Sequence, residues 1–328
     1  MITVGGARIR AEPADSLYHA SGVTKESDIP YFNILFFVVK YPLSLPQTTL
    51  PPKPTTQEPQ MPKPIAVQLY SLREYSKTKE DFAAVVKRVA DIGYKAVEPA
   101  GFNGFTAAEF KKLTDDLGLK IYSSHSPWFG NPANAQQVID DLGALGLKVC
   151  CCGYGADDFK DMDAIKRTAD NTNALIDALK PAGITLFQHN HAFEFERLGG
   201  ELKYDIYAKL VPEVKYEIDA FWSTNFGAED EVANIKKYAD RMVLVHIKDG
   251  TLTQKEAEQK YVNGLLDRKI DLLPLGQGEL NIKGIVEALP EQVSSIVVEL
   301  DYCAVEMWQA IEQSYKYMTS NGFAAGNK

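Results

Sequence analysis

Two histidines one residue apart, His189 and His191, close an apolar run in the stretch LFQHNHAFEFE (186–196), and Glu194 and Glu196 follow at once. Residues two apart on a strand share a face, so both imidazoles can point to one side of a sheet. Neutral imidazole is the commonest protein metal ligand and an acid or base near neutral pH. A histidine-rich surface loop would carry the same pattern, and what separates the two readings is whether other strands end in similar residues. Apolar runs elsewhere lead to Glu98 (KAVEPAG), His125 (KIYSSHS), Asp219 (VKYEIDAFW), His246 (MVLVHIKD) and Glu299 (SIVVELDY). Four of the five histidines lie on these runs, and the fifth, His19, lies in the N-terminal tail. Histidine and carboxylate converging on several strand ends is the pattern expected of a divalent metal site.

Asp219, His246 and Glu299 sit inside apolar strands, where an unpaired polar group is costly, so each reads as a ligand before it reads as a cap or a satisfied core group. His189 is the fourth candidate ligand, with His191 and Glu194 close enough in sequence to take its place. Glu98 and His125 are expected to touch substrate or to support the ligands; the alternative for both is a satisfied polar group of the core. Lys248 shares a face with His246, where an ammonium either polarises a substrate oxygen or pairs with a carboxylate. Trp222, Trp128 and Phe129 offer rings that could stack on a sugar or pack over a barrel mouth.

The elements that must position these residues alternate. Further short apolar runs occur at 65–71 and 148–155, which with the opening run at 184–191 and the five above gives eight in all, and helical spacing fills the intervals. In 81–92, for example, Phe82, Val85, Val86, Val89 and Ile92 recur three and four apart. Spans 106–117 and 164–179 behave similarly, and Gly93, Gly118, Gly146 and Gly183 each stand where a helix must end before the next strand. Strands alternating with helices imply a parallel sheet, and eight units about 30 residues apart fit a closed (β/α)8 TIM barrel, whose active sites lie at the C-terminal strand ends. The interval between the seventh and eighth runs is longer; 251–271 is expected to hold extra helix. The Gly276-x-Gly278 loop that follows reads as a turn on the barrel top, since it lacks the strand context and third glycine of a dinucleotide site.

Composition bounds the rest. At 328 residues, 45% hydrophobic and 24% charged, the chain is an ordinary core-forming α/β sequence with a net charge of −9. That balance argues against nucleic-acid binding by phosphate neutralisation and favours a small molecule or a cation as partner. Cys150, Cys151 and Cys152 are consecutive, cannot pair with one another on a strand, and read as small hydrophobes of a buried strand in a reduced, cytoplasmic-type protein. Residues 1–64 differ: Pro, Thr and Gln crowd 41–64, so this part is expected to be a disordered, Pro-rich extension or a mis-assigned start ahead of Met61, with the catalytic barrel at 65–328. The six-residue apolar run 34–39 is far too short to cross a membrane.

Taken together, IAVQLYSLRE at the start, HNHAFEF, EIDAFW, HIKD, LGQGELNI and VELD resemble the sugar phosphate isomerase/epimerase family, the xylose isomerase-like barrels that also include inosose dehydratase and endonuclease IV, over about 63–320. The resemblance implies one divalent ion, most often manganese, with magnesium, cobalt or zinc as alternatives, held by Asp219, His246, Glu299 and a strand-5 residue. The family's strand-5 glutamate is His189 here, and the histidine often found three residues after the aspartate is Trp222, so the two-glutamate proton shuttle does not carry over. The implied reaction is isomerisation or epimerisation of a sugar or keto-sugar through an enediolate, with dehydration of a keto-sugar or inosose as the alternative. Glu299 or Glu194 would be the base and His191 or Lys248 the acid, with Glu98, His125 and Trp222 against the substrate. An endonuclease IV-like phosphodiesterase and a non-catalytic binding barrel are the remaining readings, and a homo-oligomer is compatible with the family.

Overall fold

The computed structural model describes residues 61–252 and 271–328, together with the backbone of 261–262 and 265–266. The expectations for 1–60, a disordered extension and a later start, lie outside the described residues, as does His19. Eight parallel strands form one curled sheet: β1 (Ile65–Gln68), β2 (Ala96–Glu98), β3 (Lys120–Ile121), β4 (Val149–Cys152), β5 (Thr185–His189), β6 (Lys215–Asp219), β7 (Met242–Ile247) and β8 (Ile296–Val298). Their order is β3-β2-β1-β8-β7-β6-β5-β4. A helix follows each strand: α1 (Lys79–Ile92), α2 (Ala107–Asp116), α3 (Ala135–Leu145), α4 (Met162–Leu179), α5 (Lys203–Leu210), α6 (Glu231–Tyr238), α7 (Ile282–Ala288) and α8 (Met307–Ser320). This is the expected TIM barrel. At the β3/β4 seam the connection comes from the loop after β3, where the Phe129 N–H donates to the Cys151 carbonyl at 3.1 Å.

Local chemistry explains the element ends. Thr78 and Asp81 form a reciprocal capping box that opens α1, and Thr106 and Glu109 do the same for α2, each satisfying two otherwise orphan N–H groups. Gly93 closes α1 at φ +119°, and a Cβ there would stand 2.5 Å from the Tyr315 hydroxyl oxygen, so both the turn and the packing of α8 require glycine.

The period-2 alternation of the strands divides the core in two. Val67, Val97, Cys150, Cys152, Leu186, Ile218, Val245 and Val298 pack outward against the helices, whereas Ala66, Ala96, Cys151, Phe187, Leu244 and Val297 fill the barrel interior. All three consecutive cysteines are free and buried, as expected of small hydrophobes on a buried strand. Two residues further along five of these six interior positions the chemistry changes: Ala66 leads to Gln68, Ala96 to Glu98, Phe187 to His189, Leu244 to His246 and Val297 to Glu299, while Cys151 leads to Gly153. An apolar floor thus carries a polar layer directly above it, at the C-terminal ends of the strands.

The expected extra helix in 251–271 is not what the described part of that span forms. Tyr261–Val262 pairs antiparallel with Leu265–Leu266, and Asp249–Gly250 pairs antiparallel with Leu272–Leu273. The turn expectation for Gly276-x-Gly278 holds, and its anchor is the Asp249 carboxylate, which accepts the N–H groups of Gly250, Gly276, Gly278 and Leu280 at 2.8–3.1 Å. A Cβ on Gly278 would lie 2.1 Å from Asp249 Oδ1, which is why the loop needs glycine there. Among the described residues, no helix is long and apolar enough to cross a membrane.

Candidate functional site

The polar layer above the floor is continuous. His246, fully buried, places Nδ1 2.7 Å from Glu299 Oε2 and Nε2 2.7 Å from Glu98 Oε1. Its ring stacks on that of His125, with centroids 5.3 Å and planes 12° apart, and lies 4.6 Å from that of His189. His125 is carried not by β3, which ends at Ile121, but by the loop beyond, pinned where its N–H donates to the Pro99 carbonyl at 2.9 Å. Gln68 donates to Glu98 at 2.6 Å, and the Ser123 hydroxyl donates to the other Glu98 oxygen.

Nearer the mouth, Lys248 is fully buried among acids. Its ammonium donates to Asp219 at 2.6 Å and to Glu299, stands 3.3 Å from Asp301, and faces the Trp222 ring at 5.5 Å. Asp219 also accepts the Trp222 N–H at 2.8 Å, which ties strand β6 to the turn after it.

Burial and neighbouring charge set the protonation states. Burial alone would push the His246 imidazole down, but Glu217, Glu299 and Glu98 hold it well above the ordinary histidine value. His125 is likewise raised by Glu98 and Glu217 against its burial. Burial dominates at His189, held well below the usual range, and at His191, lowered to about 4. Asp219 is raised by burial to about 6 in spite of Lys248, while the charges of Lys248 and His246 overcome burial at Glu299 and hold its carboxyl well below the usual range.

His189, Asp219, His246 and Glu299, the four expected ligands, do come together: one ligand atom from each lies within 4.8 Å of the others, and all four residues are buried. His189 Nδ1 has no hydrogen-bond partner. Two imidazoles, one of them with an orphaned buried nitrogen, and two carboxylates fit a divalent ion, with Lys248 already supplying one positive charge to the carboxylates. The other candidates are dispersed around this set. Glu98 and His125 lie beside it. Glu194 is fully buried and accepts the His191 N–H at 2.9 Å, with burial raising its carboxyl well above the usual range. The His191 side chain remains about one-third exposed, at 33%. Trp222 and Phe129 are buried, whereas Trp128 is 46% exposed, its ring edge-on to His125 and close over Gly153.

Glu217 was not among the expected site residues, although it is fully buried and reaches His125 Nε2 at 2.6 Å and His246 Nε2 at 3.1 Å. Its signal was in the sequence: it precedes Asp219 by two in the same apolar strand, and so shares its face. Gln68 and Asp301 were missed as well: Gln68 lies two residues past the interior Ala66, and Asp301 two residues past Glu299.

A family model described as the xylose isomerase-like TIM barrel matches residues 86–319. No curated protein matches the chain by sequence. Among solved structures, a sugar phosphate isomerase/epimerase from Parabacteroides distasonis is similar at 21% identity and a TM-score of 0.58, covering 84% of this chain and 100% of that one. An L-ribulose 3-epimerase is similar at 14% identity and a TM-score of 0.59, covering 80% and 95%. The IOLI protein, crystallised with a zinc atom, is similar at 16% identity and a TM-score of 0.58, covering 79% and 98%. At these identities the likeness is one of fold.

Proposed function

Because the chain belongs to the xylose isomerase-like TIM barrel family, we propose that it is a divalent-metal-dependent isomerase or epimerase of a sugar or keto-sugar. The observation that carries this reading is the set His189, Asp219, His246 and Glu299, drawn from four successive barrel strands or their ends to within 4.8 Å. The sugar phosphate isomerase/epimerase and the L-ribulose 3-epimerase of the same fold support the substrate class. These four residues would hold the ion, which when bound supplies the Lewis acidity that makes a proton next to a carbonyl acidic and favours an enediolate.

Glu299 is the base in this reading. The charges of Lys248 and His246 keep its carboxylate ionised against burial, ready to take the proton from the α carbon. His246 Nδ1 lies 2.7 Å from Glu299 Oε2 and the Lys248 ammonium donates to the same oxygen, which fixes where that oxygen points. Lys248, held well above its ordinary value once the three acids outweigh its burial, contributes charge more than a transferable proton. His191, kept neutral by burial and partly open to the mouth, is the group placed to exchange a proton with the substrate's oxygen. Trp128 offers an exposed ring at the rim for a sugar face.

The test is metal analysis of the purified protein, followed by a screen of keto-sugars for solvent deuterium uptake at the α carbon with Mn2+, Co2+ or Zn2+ present. Asp219→Asn and His246→Ala are expected to lower both metal content and exchange by tenfold or more. Unchanged metal content and exchange in both variants would end this reading.

A further inference from the structure

We infer that Ser71 and Arg73, in the turn that leaves β1, are positioning residues for Glu299: they brace the segment that carries it at the point where the barrel's backbone ladder stops. In the opening motif IAVQLYSLRE the strand part ends at Gln68, which donates to Glu98 at 2.6 Å; the YSLR part has no place in the reaction proposed above. The inference rests on the reading of Glu299 as base and candidate ligand and adds residues outside that set.

Glu299 lies one residue past the end of β8. Along β1, Ile65, Ala66 and Val67 stand opposite Ile296, Val297 and Val298, and the chain then leaves the sheet in a 3-10 turn, Leu69–Tyr75. Successive N–H groups of a strand face opposite neighbours. Ile296 donates toward β1, to the Pro64 carbonyl at 3.0 Å, and Glu299 toward β7, to the Ile247 carbonyl at 3.3 Å. The Leu300 N–H therefore faces the β1 side just where β1 has turned away. A buried N–H without an acceptor would be costly there. The Ser71 hydroxyl oxygen accepts it at 2.9 Å, and Ser71 and Leu300 are both buried. One residue on, the Asp301 carbonyl accepts from the Arg73 guanidinium at 2.6 Å. Both residues after Glu299 are thus tied to side chains of one turn.

That turn is itself held on β1. Tyr70 donates its N–H to the Gln68 side-chain oxygen at 3.1 Å, and Arg73 donates a second N–H to the Tyr70 carbonyl at 2.9 Å while its guanidinium lies 4.1 Å from the centre of the Tyr70 ring. A planar fork fixed in this way loses little freedom in gripping the Asp301 carbonyl. What it grips matters to the mouth. Two of the three acids around the Lys248 ammonium, Glu299 and Asp301, ride on this one segment. His246 and Lys248 can aim the Glu299 carboxylate only from a backbone that stays in place.

The experiment measures Mn2+ binding to the full-length chain through the EPR signal of free Mn2+. Ser71→Ala and Arg73→Gln are expected to weaken binding about tenfold, the scale on which groups that orient a ligand act, and Ser71→Thr, which keeps the hydroxyl, is expected to recover most of the loss. In a Glu299→Gln background Ser71→Ala should add little, because both act through one carboxylate. A second measurement needs no ion: in metal-free protein, amide hydrogen exchange should quicken at 299–302 in Ser71→Ala and Arg73→Gln while β4, β5 and β6 keep wild-type protection. Wild-type Mn2+ affinity in both single variants, full additivity with Glu299→Gln, or wild-type exchange at 299–302 would overturn the inference. A wild type that binds no Mn2+ ends the metal reading of the site instead, and the exchange measurement alone then decides whether the brace exists.

Discussion

The two polar layers of the barrel hold buried carboxylates by different means, and the contrast explains more than either layer alone. Above, Asp219, Glu299 and Asp301 gather round one lysine ammonium, which stays charged because all three acids raise its pKa against burial. Below, Glu98 and Glu217 lie among imidazoles whose charge is conditional: His125 and His246 are raised by the carboxylates, while His189 is lowered by burial. The ammonium of the upper layer keeps its charge near neutral pH, and the group there that titrates close to neutrality is Asp219, raised to about 6 by burial. In the lower layer the positive charge is carried by imidazoles and depends on their protonation. Asp249, the residue after Lys248, shows a third means, since four backbone N–H groups hold its carboxylate and it needs no side-chain cation.

Removing the fixed charge gives the largest expected effect. Lys248→Met leaves three acids around an apolar chain, two of them almost fully buried, and breaking a buried pair from one side costs about 3–5 kcal/mol. Denaturant unfolding in EDTA should show a loss of that order. Added Mn2+ or Zn2+ should restore much of it, because a ligand that binds only the folded state stabilises by mass action. If Lys248→Met unfolds like wild type in EDTA, the ammonium is not the counter-charge of the upper layer. The backbone-held carboxylate is expected to be less sensitive. Gly278→Ala drives a Cβ to 2.1 Å from Asp249 Oδ1 and 2.3 Å from the Gly250 nitrogen. Overpacking of this kind costs about 1–3 kcal/mol, so the unfolding midpoint should fall and limited proteolysis near 274–281 should quicken. Proteolysis at the wild-type rate would show that Asp249 does not pin the loop.

How much of this was legible in the sequence depends on which periodicity is read. The eight units, the helix ends at Gly93, Gly118, Gly146 and Gly183 and the four residues His189, Asp219, His246 and Glu299 follow from strand-end residues and helical spacing, signals that are local and repeat. Glu217 and Gln68 are equally implied by the two-residue repeat, but attention to the last polar residue of each run hides the one before it. The role of Asp249 was not legible, because nothing local says that a carboxylate on β7's exit will gather N–H groups from a loop some 30 residues on. The same holds for the span after it, where the length of the interval suggested an extra helix and the described residues pair as short antiparallel ladders. Short two-residue pairings leave almost no periodic trace, so register there is set by tertiary contact. His125 came out as a site residue with the wrong support: β3 ends four residues earlier, and the loop reaches the site through its bond to Pro99.

The smallest expected effect sharpens the contrast through pH. His191 stands at the edge of the upper layer, lowered to about 4 by burial first, with Lys248 adding to the shift and Asp301 and Glu299 opposing it. A histidine whose folded value lies below its unfolded value of about 6.5 binds fewer protons when folded. Its contribution to stability is therefore complete above about pH 6.5 and lost as pH falls toward 4. His246 carries the opposite sign: its raised value means a contribution complete below about pH 6.5 and lost as pH rises through the folded value. In EDTA, the stability difference between wild type and His191→Gln should fall by about 1 kcal/mol between pH 7 and 5, an amount already reduced for the one-third exposure of the side chain. His246→Gln should instead change the slope on the alkaline side. Two histidines of one barrel mouth with opposite slopes would mean that the layers titrate separately. A common slope would mean that the Lys248 cluster and the imidazole layer share one proton balance, and the distinction between fixed and exchangeable charge would then fail.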